Sequence, residues 1–345
     1  MRTHILTALT VLLLTYDLPA IGQQATHTTF TNFPTERQLT GKLWWKSKDP
    51  TIDGLDLYAD SLLLMRHKSG HPHHFSVMSV KRATYVTSAA PVGNQYGQSA
   101  GFISYGLQRN NLWVYDLMQD KIVVYNFNNT TAEKARAVRE ISVPVFYYSA
   151  QMINDSTLLA SGDYDSPYKL SLVNVTNSKS TTPLTPYDPA WSRARKSAYE
   201  SFLFLKPTAD KCVLACRYAD QIEVTDLTTR QSIIVNGPEN YKPDVMEMTG
   251  NDGKELSARN ESTRYAFVRG KVTNKYIYLL YSGNNSESSH LYYGKYLFVY
   301  DWKGTPVQKI TLSSYAVDFA VTSDDAILYT YHPSSQSIEI ASLQL

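Results

Sequence analysis

The residues that could do chemistry fall into three groups. His71-Pro-His73-His74, with His67 just before it, is the densest histidine group in the chain. Imidazoles at this density suggest a transition-metal site in which His73 and His74 join His290 or His332 from elsewhere in the fold. Adjacent histidines on a strand point to opposite faces, so the pair by itself is a poor chelate. The expectation is therefore a solvated loop, with no metal and no cofactor.

Asp163-Tyr164-Asp165, with Arg217 further on, offers two carboxylates and a guanidinium. Two carboxylates can hydrolyse a glycosidic bond when their separation suits an attacking water or nucleophile. The chain has no His-Glu-x-x-His pair, so the familiar metalloprotease signature is missing. Surface acids beside arginine are more often ion pairs. The third group is Trp191, Arg193 and Arg195 with Tyr164 and Tyr292, which has the composition of an interface hot spot.

Something rigid must hold these groups, and the chain repeats a unit that could. An apolar residue, a variable one, then Asp, Asn or Ser, then another apolar one recurs as Val77-Met-Ser-Val80, Val124-Tyr-Asn-Phe127, Leu172-Val-Asn-Val175, Val224-Thr-Asp-Leu227, Val299-Tyr-Asp-Trp302 and Ile340-Ala-Ser-Leu343. Most intervals are roughly 40 to 50 residues, the length of a four-stranded propeller blade. The one long interval contains Asn236 to Ser262, polar and rich in Gly, Asn, Glu and Asp, which reads as an inserted loop. Upstream of each mark an Asp or Asn opens another apolar run, as at Asp60, Asn111, Asp155, Asp210, Asn274 and Asp325. Its side chain is expected to close the preceding turn.

The sixth unit stops after its third strand, which would leave an open edge. Gln38 to Trp45 is a strand without a unit of its own and is expected to close the ring. The fold read from this pattern is all-β: a six-bladed β-propeller of four-stranded antiparallel blades over 38–345, the last blade closed by an N-terminal strand. Residues 23–37 read as a linker. Residues 1–22 read as a secretory signal, with Arg2 and His4 before the apolar run Ile5 to Leu14 and small residues Ala20 and Gly22 before the cut.

Tyr276-Ile-Tyr-Leu-Leu-Tyr-Ser-Gly283, followed by Tyr293-Gly-Lys-Tyr-Leu-Phe-Val-Tyr-Asp-Trp-Lys-Gly-Thr-Pro-Val307, resembles the late blade of the TolB-like six-bladed propeller family of bacterial envelope lipoproteins. The likeness runs on to Leu345 and back to about Gly54. Where that family usually carries a Gly-rich stretch ending in Gly-Pro-Glu-Phe, this chain has Pro91 to Phe102 without the Pro-Glu pair. The resemblance implies an exported protein. No Cys stands at the expected cut to carry lipid, so a periplasmic or extracellular protein, not inserted in a membrane, is expected.

A formal net charge of +2 over 345 residues argues against a nucleic-acid partner. Cys212 and Cys216 lie four apart on one apolar run, about 13 Å along a strand, and read as two buried free thiols. Pro183 to Glu200 reads as a helical excursion started by Asp188 and Pro189.

The A to B and C to D connections are tight, whereas the long loops gather on the opposite face, where binding usually sits. Trp191, Arg193, Arg195, Tyr164 and Tyr292 are the partner-binding candidates on that face. Asp163, Asp165, Arg217, His71, His73 and His332 are the candidates at the mouth of the central channel. The leading reading is an exported, monomeric, non-catalytic propeller that binds a protein or glycan of the cell envelope through its long-loop face. The alternatives are a channel-mouth hydrolase or lyase acting on a carbohydrate, and a structural envelope component.

Overall fold

In blades three, four and five the Asp or Asn at the end of the third strand turns the chain. Asp226 Oδ1 accepts the N–H groups of Thr228 and Thr229 at 3.0 and 2.8 Å. Asp301 Oδ1 accepts those of Lys303 and Thr305 at 2.8 and 2.9 Å, and Asn174 that of Thr176 at 2.9 Å. A side-chain acceptor two residues behind a turn replaces the backbone bond that the turn would otherwise lack. The repeat mark is thus the chemistry of the third-to-fourth-strand hairpin.

Two of the acids that open a second strand behave differently from expectation. Asp60 and Asp325 take φ of 52° and 63°, the left-handed values a tight hairpin needs. Their carboxylates then reach other blades. Asp60 accepts from the Ser323 N–H at 2.9 Å. Asp325 accepts from Thr273 Oγ1 and the Tyr278 hydroxyl, each at 2.7 Å.

A computed structural model describes residues 25–102, 104–108, 111–126, 135–143, 145–176 and 180–345. Six mainly antiparallel blades of four propeller strands form a β-propeller, and helix α1 (Arg193–Ala198) is the one helix among the described residues. The innermost strands are Ile52–Tyr58, Ser104–Gln108, Ser149–Asn154, Ser201–Leu205, Phe267–Val272 and Asp318–Val321. Serine hydroxyls couple neighbouring ones, with Ser104 Oγ accepting from Ala150 N at 3.0 Å and Ser149 Oγ from Leu203 N at 3.1 Å.

Between blades, alternate strand residues interdigitate. Phe267, Leu279, Phe298 and Tyr300 meet Val213, Ala215 and Val224 of the preceding blade. Phe319 and Leu328 meet Tyr278, Leu280 and Val299 in the next wedge. Burying aromatic side chains of this size supplies most of the driving force that holds one blade on another.

The N-terminal segment does more than close the ring. Strand β3 (Lys42–Lys46) pairs antiparallel with Ser337–Ser342 as the missing outer strand of blade six. The stretch expected to be a linker holds two further strands. Strand β1 (Thr26–Thr29) adds in parallel to Ser232–Asn236 of blade four, and β2 (Glu36–Leu39) adds in parallel to the outer strand of blade five. Both cover edges that would otherwise expose unpaired backbone groups. Phe30 and Phe33 anchor the crossing, Phe33 standing 4.8 Å from Phe298 and 5.7 Å from Tyr300 between ring centroids.

Two other readings are corrected. The insertion 236–262 contains a hairpin, Val245–Thr249 with Glu255–Arg259. Helix α1 starts after Ser192, whose hydroxyl accepts the Arg195 N–H at 3.0 Å. Asp188 caps only a turn, through Ala190 N at 2.9 Å. Residues 1–22, read as a secretory signal, lie outside the described residues.

Candidate functional site at the channel mouth

Charged residues line the axis. On the inner strand of blade five, Arg269 and Lys271 are two apart and therefore share one face. Lys271 Nζ lies 2.8 Å from Asp56 Oδ2 and 3.9 Å from Asp318 Oδ2. Arg66 Nε donates to Asp53 Oδ1 at 2.8 Å. Burial alone would lower Lys271, but Asp318 and then Asp56 outweigh it and raise its pKa.

Arg269 is less well served. Its Nη1 donates to the Val268 carbonyl at 2.8 Å, and its buried Nε stands 3.7 Å from Asp318 without a hydrogen bond. Burial, and then the neighbouring Arg66 guanidinium, push Arg269 down to about 10. A cation held this way has donor capacity to spare.

Above this network the channel opens into a cavity of about 620 Å³. Arg217 and Arg269 line it, with Phe202, Tyr265, Tyr292 and Tyr331 among its walls. Arg217 pairs with Glu200 and packs on the Phe202 ring at 5.0 Å, leaving its Nε without a partner. Tyr265 meets Tyr218 and Tyr292 edge to face, each at 5.2 Å, and Arg259 donates to the Tyr265 hydroxyl at 2.7 Å. Asp53 is the acid on the lining, and it is bound to Arg66.

The residues singled out from sequence divide. Tyr292 and Arg217 reach the mouth. Trp191 and Tyr164 line a separate groove of about 1540 Å³ at the junction of blades three and four. There Trp191 stacks on Tyr199 at 4.8 Å, and the Arg195 guanidinium lies 4.9 Å from the Tyr199 ring. Tyr164 is buried against Tyr148. Arg193 bonds to Asp165 at 2.7 Å and to the Glu255 carbonyl at 2.7 Å, tying α1 to the inserted hairpin.

Asp163 and Asp165 do not meet Arg217. Asp163 Oδ1 accepts the N–H groups of Asp165 and Ser166, closing its own turn. Asp165 is held below the usual carboxylate range by Lys254 and then Arg193.

The histidines also regroup. Asp49 Oδ2 lies 3.3 Å from His67 Nδ1 and 4.0 Å from His71 Nε2. Burial, reinforced by His71, pushes His67 down to about 4, so its ring is neutral at neutral pH. His73 has its ring 6.3 Å from that of His71. His74 is buried and its Nε2 lies 2.9 Å from the Ser99 carbonyl. His332 bonds to Thr330 of blade six and to Ser314 on the outer strand of blade five, and His290 stacks on Tyr315 at 4.0 Å. Neither joins His73 or His74.

Sequence reading missed the axial network and Asp49. The network had a signal in Arg269-Gly-Lys271, a pair of cations at strand period inside an otherwise apolar run. Asp49 had none, because it enters the group through a turn before the first blade.

These features define a six-bladed propeller with an aromatic, cationic channel mouth, and sequence comparison places it. The chain belongs to the family described as TolB-like 6-blade propeller-like, whose profile matches residues 57–324. No curated protein matches the chain. Among solved structures it is similar to a Bacteroides fragilis protein named provisionally as exported, at 12% identity over 93% of this chain and all of that one, with a TM-score of 0.56. It is also similar to Chaetomium thermophilum Raptor, at 11% identity over 88% of this chain and 29% of that one, with a TM-score of 0.50. At these identities the likeness concerns the fold.

Proposed function

We propose that this protein is an exported recognition propeller that binds an acidic glycan of the cell envelope at the channel mouth and performs no chemistry on it. The observation that carries this reading is the cavity of about 620 Å³, in which Arg217 and Arg269 share a lining with six aromatic residues. Its volume suits a sugar unit or two more than a flat protein surface. Aromatic faces hold the apolar side of a sugar ring, and a guanidinium takes a carboxylate in a two-point hydrogen bond. The family and the Bacteroides fragilis likeness support export.

Carbohydrate hydrolysis finds less support. A glycosidase sets two carboxylates across the scissile bond, whereas the acid on this lining is Asp53, already committed to Arg66.

The test is calorimetric titration of the mature chain with oligosaccharides that contain uronic acid and with neutral ones of equal length. Binding of the acidic series alone, weakened at least about tenfold by Arg269→Gln and by Tyr292→Ala, is the expected result. Trp191→Ala, which alters the separate groove, leaves it unchanged. Equal binding of both series, or no effect of either mouth variant, overturns the reading. Capture of an envelope protein with no glycan binding would replace the glycan with a protein partner.

A further inference from the structure

Asp49, His67 and His71 bring three donor atoms within 4.8 Å of one another beside the mouth. The flanking residues Pro50 and Lys68 line the ligand cavity. Each donor is prepared by a neighbour.

On Asp49 the two oxygens have separate work. Oδ1 accepts both the N–H and the hydroxyl of Thr51, at 2.8 and 2.6 Å. That fixes the carboxylate and turns Oδ2 toward the two imidazoles. In His71, Nδ1 lies 2.6 Å from the His73 carbonyl. The His73 N–H also approaches Nδ1, at 3.1 Å, but the carbonyl contact is the shorter. A proton on Nδ1 makes that bond and leaves the Nε2 lone pair on the side of Asp49. In His67, Nε2 lies 2.8 Å from Ser76 Oγ. His67 Nδ1 lies 2.8 Å from Thr51 Oγ1, whose one proton goes to Asp49, so without metal Nδ1 carries the ring proton. A serine hydroxyl can donate or accept, so metal binding moves that proton to Nε2, where Ser76 takes it, and frees the lone pair of Nδ1. A ligating histidine almost always gives its other ring N–H to such a partner, which orients the ring and sets its tautomer.

We propose that Asp49, His67 and His71 form a binding site for one divalent transition-metal ion of the zinc class. Two imidazole nitrogens and one carboxylate oxygen are a donor set suited to zinc and its neighbours and poor for calcium or magnesium, which take oxygen. Three protein ligands leave a fourth position for water or for a group of the ligand held in the cavity.

The rings of His67 and His71 are stacked at 3.7 Å with 10° between their planes. A cation bonded in plane to both requires one ring to tilt. His67 is buried between Thr51 and Ser76 and stays. His71 follows Gly70, which has a φ of 99° and open space at its Cα, so the tilt falls to His71.

The test is titration of chelator-treated protein with Zn²⁺ by calorimetry, repeated with Co²⁺ and read by visible absorption. One ion per chain is expected, with affinity reduced at least about tenfold in both His71→Ala and Asp49→Asn and unchanged in His73→Ala. Thermal midpoints without metal establish that each variant is folded. No binding by the parent protein overturns the site. Unaltered affinity in either ligand variant, or equal loss in His73→Ala, does the same. None of these outcomes bears on glycan binding, which is measured without metal.

Discussion

The Leu55 N–H donates to Asp318 Oδ2 at 3.1 Å, a hydrogen bond between the inner strands of the first and last blades. The same carboxylate, fully buried, also accepts from its neighbour Phe319 N at 2.8 Å and sits within 4 Å of Arg269 and Lys271. One acid thus joins the ring closure to the axial cations.

Removing that acid should be severe. Asp318→Ala leaves two buried cations short of their shared counter-charge, and breaking a buried pair on one side costs about 3–5 kcal/mol. Asp318→Asn keeps an acceptor for Leu55 and should cost less. Urea midpoints of the two variants, with parent-like slopes, check the order.

Phe33 should matter as much as a blade residue although it precedes the first blade. It is 6% exposed and touches rings of blade five. Phe33→Ala should destabilise by about 3 kcal/mol through lost contact and a cavity that the β-sheet cannot collapse into. A change below about 1 kcal/mol in chemical denaturation would mean that the N-terminal crossing is merely draped on the ring.

That crossing marks where sequence stopped being legible. Blades announced themselves because Asn174, Asp226 and Asp301 perform a local turn chemistry, and local chemistry repeats with the chain. The closing strand was visible because blade six lacked one. Strands β1 and β2 were not, since they pair in parallel with edges about 200 to 270 residues away and have no turn to declare them. The mouth was only partly readable for the same reason. Tyr292 and Arg217 sit on loops of the expected face, but Arg269 and Asp49 reach the site through tertiary placement. Arg193 and Arg195 looked free in sequence and are consumed by Asp165, Glu255 and Tyr199.

The two thiols should be chemically silent. Burial pushes Cys216 up to about 11 and Cys212 further, so neither supplies thiolate at neutral pH. Both should resist an aromatic disulfide reagent in the folded protein and react together on unfolding, with a rate that follows the loss of native structure. Rapid labelling of one thiol in the native state would show that blade four opens locally.

His74 supplies a pH dependence whose sign can be worked out. Burial lowers its pKa below 6.5, outweighing the Ser99 carbonyl and Asp116, which favour the charged ring, while His71 adds to the lowering. Between the lowered folded value and 6.5 the unfolded chain binds more protons than the folded one, so stability rises with pH in that window. Stability should therefore decline as pH falls below about 6.5, and the decline should level off once the folded ring is protonated too. His74→Gln can still donate to Ser99 and has nothing to titrate. Denaturant midpoints for the parent and this variant between pH 7.5 and 5 should diverge toward acid, with the parent losing more. Parallel curves would show that His74 is protonated as readily in the fold as outside it.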